Sequence, residues 1–575
     1  MKNKDVAQIL EHVSLFLELK GENPFKVRAY QRAARAVETA KEDIQTLHEQ
    51  GKLTSLSGIG KSIAEDIAEF IDTARIGLLE EMEADFPKTI MELFRVPGLG
   101  AKRIKTLYEN LDIGSLGELE YSCLENRLVD LPGFGKRTQE NILANIDKLK
   151  RYRERRLRSD CESTASEILH QLRDHPDILR ASLAGSMRRG LETVKDIDLV
   201  AATEDGEKVA DWFSRRDFVD SIIGAGATKV SVTLKSGVNL DLRLVGDREF
   251  PFALQYLTGS KIHNETLRGI AKRQGLKLNE YGLFHGEKSL ACTDEEAIYK
   301  ALGLAYIDPE LRENMGEIEA AEEGKLPTLI TKEDIRGTFH AHTFYSDGVN
   351  SMSELAAAAR DLGLSYLGIS EHSQSAYYAN GLKPDKVKEQ RKEIDEYNRA
   401  QRDFKIFFGI ESDITAAGGL DYEDEILDLF DYVIASVHSQ FTMDQEAMTG
   451  RILRVLENPY TTMLGHPTGR LLLAREPYAV DMRKVIRKAA ETGVVIEHNA
   501  NPHRLDLDWR LMPMARELGV KISINPDAHN TGMLADVFYG VATVRKGWME
   551  AGDVINTMNL QEMEAWIEQR RKRSK

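Results

Sequence analysis

Cysteine is nearly absent. Three occur in 575 residues, Cys123, Cys161 and Cys292, and none stands in the paired spacing of a thiolate metal site. That argues against a disulfide framework and fits a reducing compartment. No run of eighteen apolar residues exists, so no membrane-spanning helix is expected, and MKNKDVAQIL lacks the apolar core of a secretory signal. The expected location is the cytoplasm, with no membrane partner. An overall basic excess is missing too. The 77 Lys and Arg face 93 Asp and Glu for a net charge of -16, where a nucleic-acid-binding domain is usually basic. Composition is otherwise ordinary for a globular chain, 42% hydrophobic and 30% charged, and the length suggests several domains.

The average conceals a local reversal. From Leu93 to Arg158, 14 Lys and Arg stand against 9 Asp and Glu, densest in KLKRYRERRLR at 148 to 158. Three glycine hairpins accompany it: SGIGKSIAEDI (57 to 67), PGLGAKRIKTL (97 to 107) and PGFGKRTQENI (132 to 142). In each, the first glycine (Gly58, Gly98, Gly133) permits a positive φ and the second (Gly60, Gly100, Gly135) lets the backbone approach a partner. The N–H groups of the following helix N-terminus then suit a phosphate. One copy reads equally well as a tight helical turn; three copies with adjacent bases such as Lys61 favour DNA. The terminal RRKRSK has the charge to touch DNA but reads more readily as a frayed, solvated end.

Toward the C-terminus, short apolar runs close on a histidine or carboxylate seven times: at His342, His372, Glu411, His438, His466, His498 and His529. Amphipathic stretches such as Met352 to Leu362 and Met482 to Thr492 alternate with them, the pattern of repeated βα units. A parallel barrel is predicted, with the polar strand ends facing one another at one mouth. His340, His342, Asp347, His372, Glu411, His438, His466, Asp527 and His529 make nine candidate ligands, too many for one ion but suited to two or three. His340 and His342, like Asp527 and His529, are two apart and would share one face of a strand. Imidazole and carboxylate without thiolate suit Mn²⁺, Zn²⁺ or iron. Glu497, Asn499, Asn501 and Arg504 in EHNANPHR read equally as groups supporting the ligands or a phosphate and as loop caps.

Between these regions, SLAGSMRRGLETVKDIDLV turns through Gly185-Ser186 and resumes as a strand carrying Asp196 and Asp198 on one face. VNLDLRLVG alternates so that Asp241 can join them across a sheet. Three facing carboxylates repel unless cations neutralise them, and oxygen ligands alone suit Mg²⁺ or Mn²⁺.

The seven strand ends resemble the PHP metallohydrolases, whose fold is a distorted (β/α)7 barrel with a trinuclear site, over about Arg336 to Asn559. That resemblance implies phosphoester hydrolysis, with one ion on His340, His342, Glu411 and Asp527. A second would sit on Glu411, His438 and His466, and a third on Asp347, His372 and His529. The glycine hairpins resemble helix-hairpin-helix motifs. GS-x-RRG, the D-x-D and the later QYLTGSKIHNETLRGIAKRQGLKLNEYGLF resemble the bacterial and archaeal family X DNA polymerases with a C-terminal PHP domain. By that resemblance Asp196, Asp198 and Asp241 are catalytic and bind metal. Gly185, Ser186 and Arg189 hold the triphosphate, Tyr256, Gly259 and Asn264 line the deoxynucleotide pocket, and Arg268 approaches the template. Lys26, Tyr30 and Lys61 match groups that grip a 5'-phosphate. Three residues depart from the pattern. Asp66 stands where a lyase lysine is expected and cannot form an imine, so no lyase is expected; Leu257 replaces an aromatic, and Lys261 stands where an acid is common.

The expected domains are 1–85, a helical 5'-phosphate-binding domain; 86–150, a helix-hairpin-helix domain; 151–246, a nucleotidyltransferase palm with a mixed sheet; and 247–317, a nucleotide- and template-binding domain. A charged linker at 318–335 leads to the barrel at 336–575. The chain reads as a multidomain α+β and α/β protein, a monomeric polymerase filling short gaps in nicked or gapped DNA from deoxynucleoside triphosphates, in base-excision-like repair. Its barrel would be a 3'-5' exonuclease or a 3'-phosphatase. The rival reading makes the palm a scaffold and the barrel the only enzyme.

Overall fold

The computed structural model describes residues 3–38, 40, 42–56, 58–129, 131–150 and 155–574. The chain divides into two units, Met1–Leu149 and Lys150–Lys575, each with its own apolar core. Part of the basic stretch at 148 to 158 lies outside the described residues.

The first unit is helical. In Asn3–Lys20 the apolar residues Val6, Leu10, Val13 and Leu17 recur at three- and four-residue spacing, and all are buried. Gly58, Gly98 and Gly133 have φ of +100°, +89° and +84°, conformations that L side chains rarely adopt. Gly60 and Gly100 cap the helices Lys61–Thr73 and Ala101–Leu111, and Gly135 immediately precedes Lys136–Lys150. A side chain at Gly60, Gly100, Gly133 or Gly135 would meet nothing within 4 Å, so this backbone is open on the hairpin side.

After the short strand Arg156–Leu157 and the helix Arg158–Arg173, the second unit forms a mixed five-stranded sheet in the order Arg180–Leu183, Asp196–Ala202, Asn239–Val245, Lys229–Leu234, Val219–Gly226. The second and third of these are parallel and the other pairings antiparallel. Helices Phe250–Thr258 and Lys261–Arg273 and a small antiparallel three-stranded sheet follow, closed by helix Glu295–Ala301. Glu295 ties this region to the palm. Its carboxylate accepts from Arg188 (2.5 Å) and from the fully buried Arg312 (2.6 Å). Although burial pushes its pKa up, the Arg312 and Arg188 cations hold the carboxyl below its ordinary range.

The charged segment expected to be a linker is instead partly helical and docked. Glu317–Glu323 is a helix whose Glu317, Ile318 and Ala321 are buried, with Glu317 paired to His263 Nδ1 at 2.6 Å. Glu317, just ahead of the expected linker, is an anchor because His263 supplies it a buried partner, whereas Glu319, Glu322 and Glu323 stay exposed.

Seven parallel strands in sequence order form the barrel: Gly337–Ala341, Tyr366–His372, Lys405–Asp413, Tyr432–Ser436, Met463–Leu464, Val495–Asn499 and Ile522–Asn525. Hydrogen bonds from His342 N to Ala528 O and from Ala528 N to His340 O join the first and last segments. Phe339, Tyr366, Phe407 and Tyr432 fill the end opposite the ligands. Room for them comes from Gly368 and Gly409, where an added Cβ would lie 2.4 and 2.2 Å from neighbouring ring atoms. Arg570 and Arg571 are not frayed as expected: Arg570 donates to the carbonyls of Thr461 and Gly493, and Arg571 to that of Asp428.

Replacing Glu295 with Gln should destabilise the second unit by about 3 kcal/mol, the range for stripping one partner from a buried ion pair. Because the folded-state pKa is depressed, the pair's contribution is present above the ordinary carboxylate range and lost as pH falls through the lower folded value. Urea melts of the native chain and the variant should therefore differ at pH 7 and converge in acid.

Candidate active sites

In the palm, strand register decides the geometry. Asp198 on Asp196–Ala202 stands directly opposite Asp241 on the parallel neighbour. Asp196, two residues earlier, shares their face. Asp241 accepts from Ser231 Oγ (2.5 Å) and pairs with Lys229 Nζ at 2.9 Å. Burial, then the charges of Asp196 and Asp241, push the Asp198 carboxyl up to about 6. Gly185, at φ +58°, starts the short helix that carries Ser186; a Cβ there would lie 2.0 Å from Asp198 Oδ2. Only glycine lets the turn approach the carboxylates this closely.

The other expected nucleotide-site residues are engaged within the protein. Arg189 donates from Nε to Glu313 (2.9 Å) and from Nη1 to the Thr258 carbonyl (2.5 Å). Asn264 is buried, donating to the Tyr256 carbonyl (2.7 Å) and accepting from Gln255 (2.8 Å). Gly259 lies beside Arg189, and Arg268 is exposed on its helix. In the first unit, Lys26 is exposed, whereas Tyr30 is buried and its hydroxyl donates to Asp66 at 2.5 Å. The departure at Asp66 thus occupies the hydroxyl of its neighbour, and burial, then Asp66, raises the Tyr30 pKa.

At the barrel mouth all nine predicted ligands converge. Glu411, opposite His372 in register, is the centre. Its oxygens lie 2.8 Å from His466 Nε2, 2.9 Å from His372 Nδ1, and 3.2 Å from both His340 Nε2 and His438 Nε2. Asp527 is 3.2 Å from His342 Nε2 and 3.4 Å from His340 Nε2, and Asp347 is 3.4 Å from His372 and from His529. Ligand atoms of His342, Asp347, His372 and His529 lie within 4.8 Å of one another, as do those of His340, His342 and Glu411. So do those of His372, Glu411 and His438, and of His340, His466 and Asp527.

The chelating pairs do not arise from simple strand alternation. The first strand ends at Ala341 with a register shift, and His340 takes φ +61°; Asp527, past the last strand, takes φ +54°. A left-handed residue in each segment redirects the chain at the mouth and brings the pair together.

The site suits cations. Both ring nitrogens of His342 and of His372, Nε2 of His340 and Oε2 of Glu411 are buried and, although carboxylates and imidazoles lie close, none meets another in hydrogen-bond geometry, a costly state for polar atoms that metal coordination relieves. Supporting carboxylates orient the rings. Glu497 Oε2 lies 2.7 Å from His340 Nδ1, its Oε1 accepts from the His466 backbone N–H, and Asp413 lies 2.6 Å from His438 Nδ1. Glu371, fully buried, accepts from Thr343, Ser346 and Gln390 and so holds the loop bearing Asp347. Asn499 bridges Glu497 and Asp527; Asn501 caps its own turn; Arg504 Nε is 3.8 Å from Asp527. His498, on the opposite face of its strand from Glu497, contacts the Leu507 carbonyl and stays outside the ligand set. Sequence reasoning missed Asp413, although it stands two residues after Glu411 and hence on the same strand face.

The DNA polymerase/3'-5' exonuclease PolX of Bacillus subtilis is 38% identical to the chain over 571 residues, 99% of each protein. The chain belongs to the family X DNA polymerases with a C-terminal PHP domain. Family models match for a DNA polymerase beta thumb at residues 253–313, a helix-hairpin-helix domain at 1–76, a SAM-like helix-hairpin-helix tandem at 90–148 and a PHP domain at 338–500. DNA polymerase lambda of Rattus norvegicus is 24% identical over 346 residues, 54% of this chain and 56% of that protein. A probable phosphatase of Thermoanaerobacter sp. (strain X514) is 28% identical over 209 residues, 33% of this chain and 77% of that protein. The PHP match stops before Asp527 and His529, which reach the same mouth. Divalent metals are implied by the polymerase and PHP domains together with the mouth's donor set. Among the described residues, no helix is long and apolar enough to cross a membrane.

Asp413→Asn should weaken metal binding at the barrel by about ten- to hundred-fold, the usual cost of losing a ligand's outer partner. Titration with a competing chelator, independent of any activity, measures it.

Proposed function

We propose that the chain is a DNA-directed DNA polymerase that fills short gaps during repair and a 3'-5' exonuclease that hydrolyses phosphodiesters at its PHP barrel. The observation that carries the first half is the register of Asp198 against Asp241, with Asp196 on the same face and the Gly185-Ser186 turn beside them. Such carboxylates would hold two Mg²⁺ or Mn²⁺ ions, which supply charge neutralisation to the triphosphate and to the attacking 3'-hydroxyl. In extension, that hydroxyl gives up its proton, ultimately to solvent, as its oxygen bonds to the α-phosphorus and the bond to pyrophosphate breaks. Asp241, oriented by Ser231 and Lys229, would lie at the primer terminus; Ser186 and Arg189 would receive the triphosphate oxygens.

The second half rests on the buried imidazole and carboxylate cluster around Glu411. Its nine residues would hold two or three Mn²⁺, Zn²⁺ or iron ions, which supply Lewis acidity for hydrolysis. Glu497 and Asp413 keep the His340 and His438 rings oriented for that role. The preferred DNA is a gapped duplex with a 5'-phosphate, bound by a monomer. Three open glycine hairpins, each at a helix N-terminus, suit backbone phosphates without base readout.

Primer extension and shortening on such a duplex should separate the sites. Asp241→Ala should lose extension by about a hundred-fold or more while shortening persists, and His340→Ala should do the reverse. A native chain that shortens the primer but never extends it would overturn the polymerase half and leave the palm a scaffold. Borohydride reduction on a 5'-deoxyribose phosphate end should trap no covalent adduct, since Asp66 stands where the lyase lysine is expected and a carboxylate cannot form an imine; an adduct trapped by the native chain would contradict this reading.

A further inference from the structure

The helix Asp536–Lys546, which follows the last barrel strand, packs on the palm rather than on the barrel alone. The Arg158 guanidinium lies over Tyr539, 4.1 Å from the ring centroid, and donates to its hydroxyl at 2.8 Å. A Cβ on Gly190 would sit 3.7 Å from the Ala542 carbonyl. Arg545 donates to Glu310 at 2.7 Å and to the Ile330 carbonyl at 2.9 Å.

Lys546 ends this helix and is fully buried. Its ammonium donates to Glu313 Oε1 at 2.6 Å and to the carbonyls of Arg189 and Glu310, each at 3.2 Å. The same Glu313 oxygen accepts from Arg189 Nε at 2.9 Å. One carboxylate is therefore shared by a barrel lysine and the palm arginine whose charge is felt at Asp198. Burial pushes the Glu313 pKa up, yet Lys546 and then Arg189 hold the carboxyl below its ordinary range.

The sharing has an electrostatic consequence. If Glu313 paired with Arg189 alone, the pair would be neutral and the guanidinium would have little attraction left for a polyanion. With Lys546 on the same oxygen, the three side chains keep one net positive charge. Carboxylate and Thr258 carbonyl together also pin the guanidinium from two directions.

We propose that Lys546, a residue of the hydrolase barrel, is a positioning residue for nucleotidyl transfer: through Glu313 it holds Arg189 in place and keeps it electrostatically available to the triphosphate of the incoming nucleotide. The proposal rests on the reading of the palm as a polymerase. It makes the polymerase site dependent on the barrel for orientation and charge, while the barrel's own ligands owe nothing to Lys546.

The test is steady-state extension by the full chain on a gapped duplex, with KM for the nucleotide and kcat read separately and primer shortening as the internal control. Lys546→Met should raise the nucleotide KM by about ten-fold, as expected for losing one charged hydrogen bond, with a smaller change in kcat and unchanged shortening. Lys546→Arg should recover most of the affinity. In a Glu313→Gln background, Lys546→Met should have little further effect, because the lysine acts through that carboxylate. An unchanged KM in Lys546→Met overturns the proposal. So does a parallel fall of extension and shortening, or an equal KM rise in the Glu313→Gln background, either of which marks a packing defect. A native chain without nucleotide-dependent extension overturns the polymerase reading itself, whereas native extension with an unaltered Lys546→Met KM overturns only the coupling.

Discussion

Glu411 is the constraint on which the barrel depends. A carboxylate buried at the centre of a protein is unfavourable by many kcal/mol unless its charge is met. Here four imidazoles from four different strand ends converge on its two oxygens. Burial raises its pKa, but His438, His340 and His372 hold it well below the ordinary range. Three of them, His340, His372 and His466, in turn retain buried nitrogens with no partner in hydrogen-bond geometry. Protein groups alone therefore leave the mouth incompletely satisfied, and cations complete it. Aromatic packing at the opposite end of the barrel supplies the rigidity that such a site requires.

The palm meets the same problem with fewer resources. Its three acids share one face, and burial with mutual repulsion raises the pKa of Asp198. Lys229 and Ser231 engage Asp241 from one side, while the close approach of Gly185 brings a helix start toward the acids from the other. Both sites thus concentrate negative charge, but with different donors. Oxygen alone in the palm suits a hard, exchangeable ion, and imidazole in the barrel suits a resident transition metal. The two chemistries need not compete for one metal.

Arginines and lysines knit palm, thumb and barrel into the second unit. Arg188 and Arg312 meet on Glu295, Arg189 and Lys546 on Glu313, and Arg545 reaches Glu310. Each carboxylate lies between segments distant in sequence. Hydrolase and transferase are therefore not beads on a flexible string: the segment at Glu317–Glu323, charged like a linker, is itself held by a buried Glu317–His263 pair.

The repeated βα pattern, the seven polar strand ends with their nine candidate ligands, the three glycine hairpins and the position of the D-x-D are all legible in the chain before it folds, because each is a local signal of period, turn chemistry or spacing. Asp413 was legible in principle, two residues beyond Glu411, but nothing local marks the histidine it orients. The rest came from packing between distant segments. Left-handed backbone at His340 and Asp527 built chelating pairs that strand alternation does not supply, and Asp66 took the Tyr30 hydroxyl. Glu313 and Lys546 met across more than two hundred residues. Whether a charged residue is a solvated face or a buried partner depends on what chain packing places opposite it, and that is a property of the fold rather than of the segment.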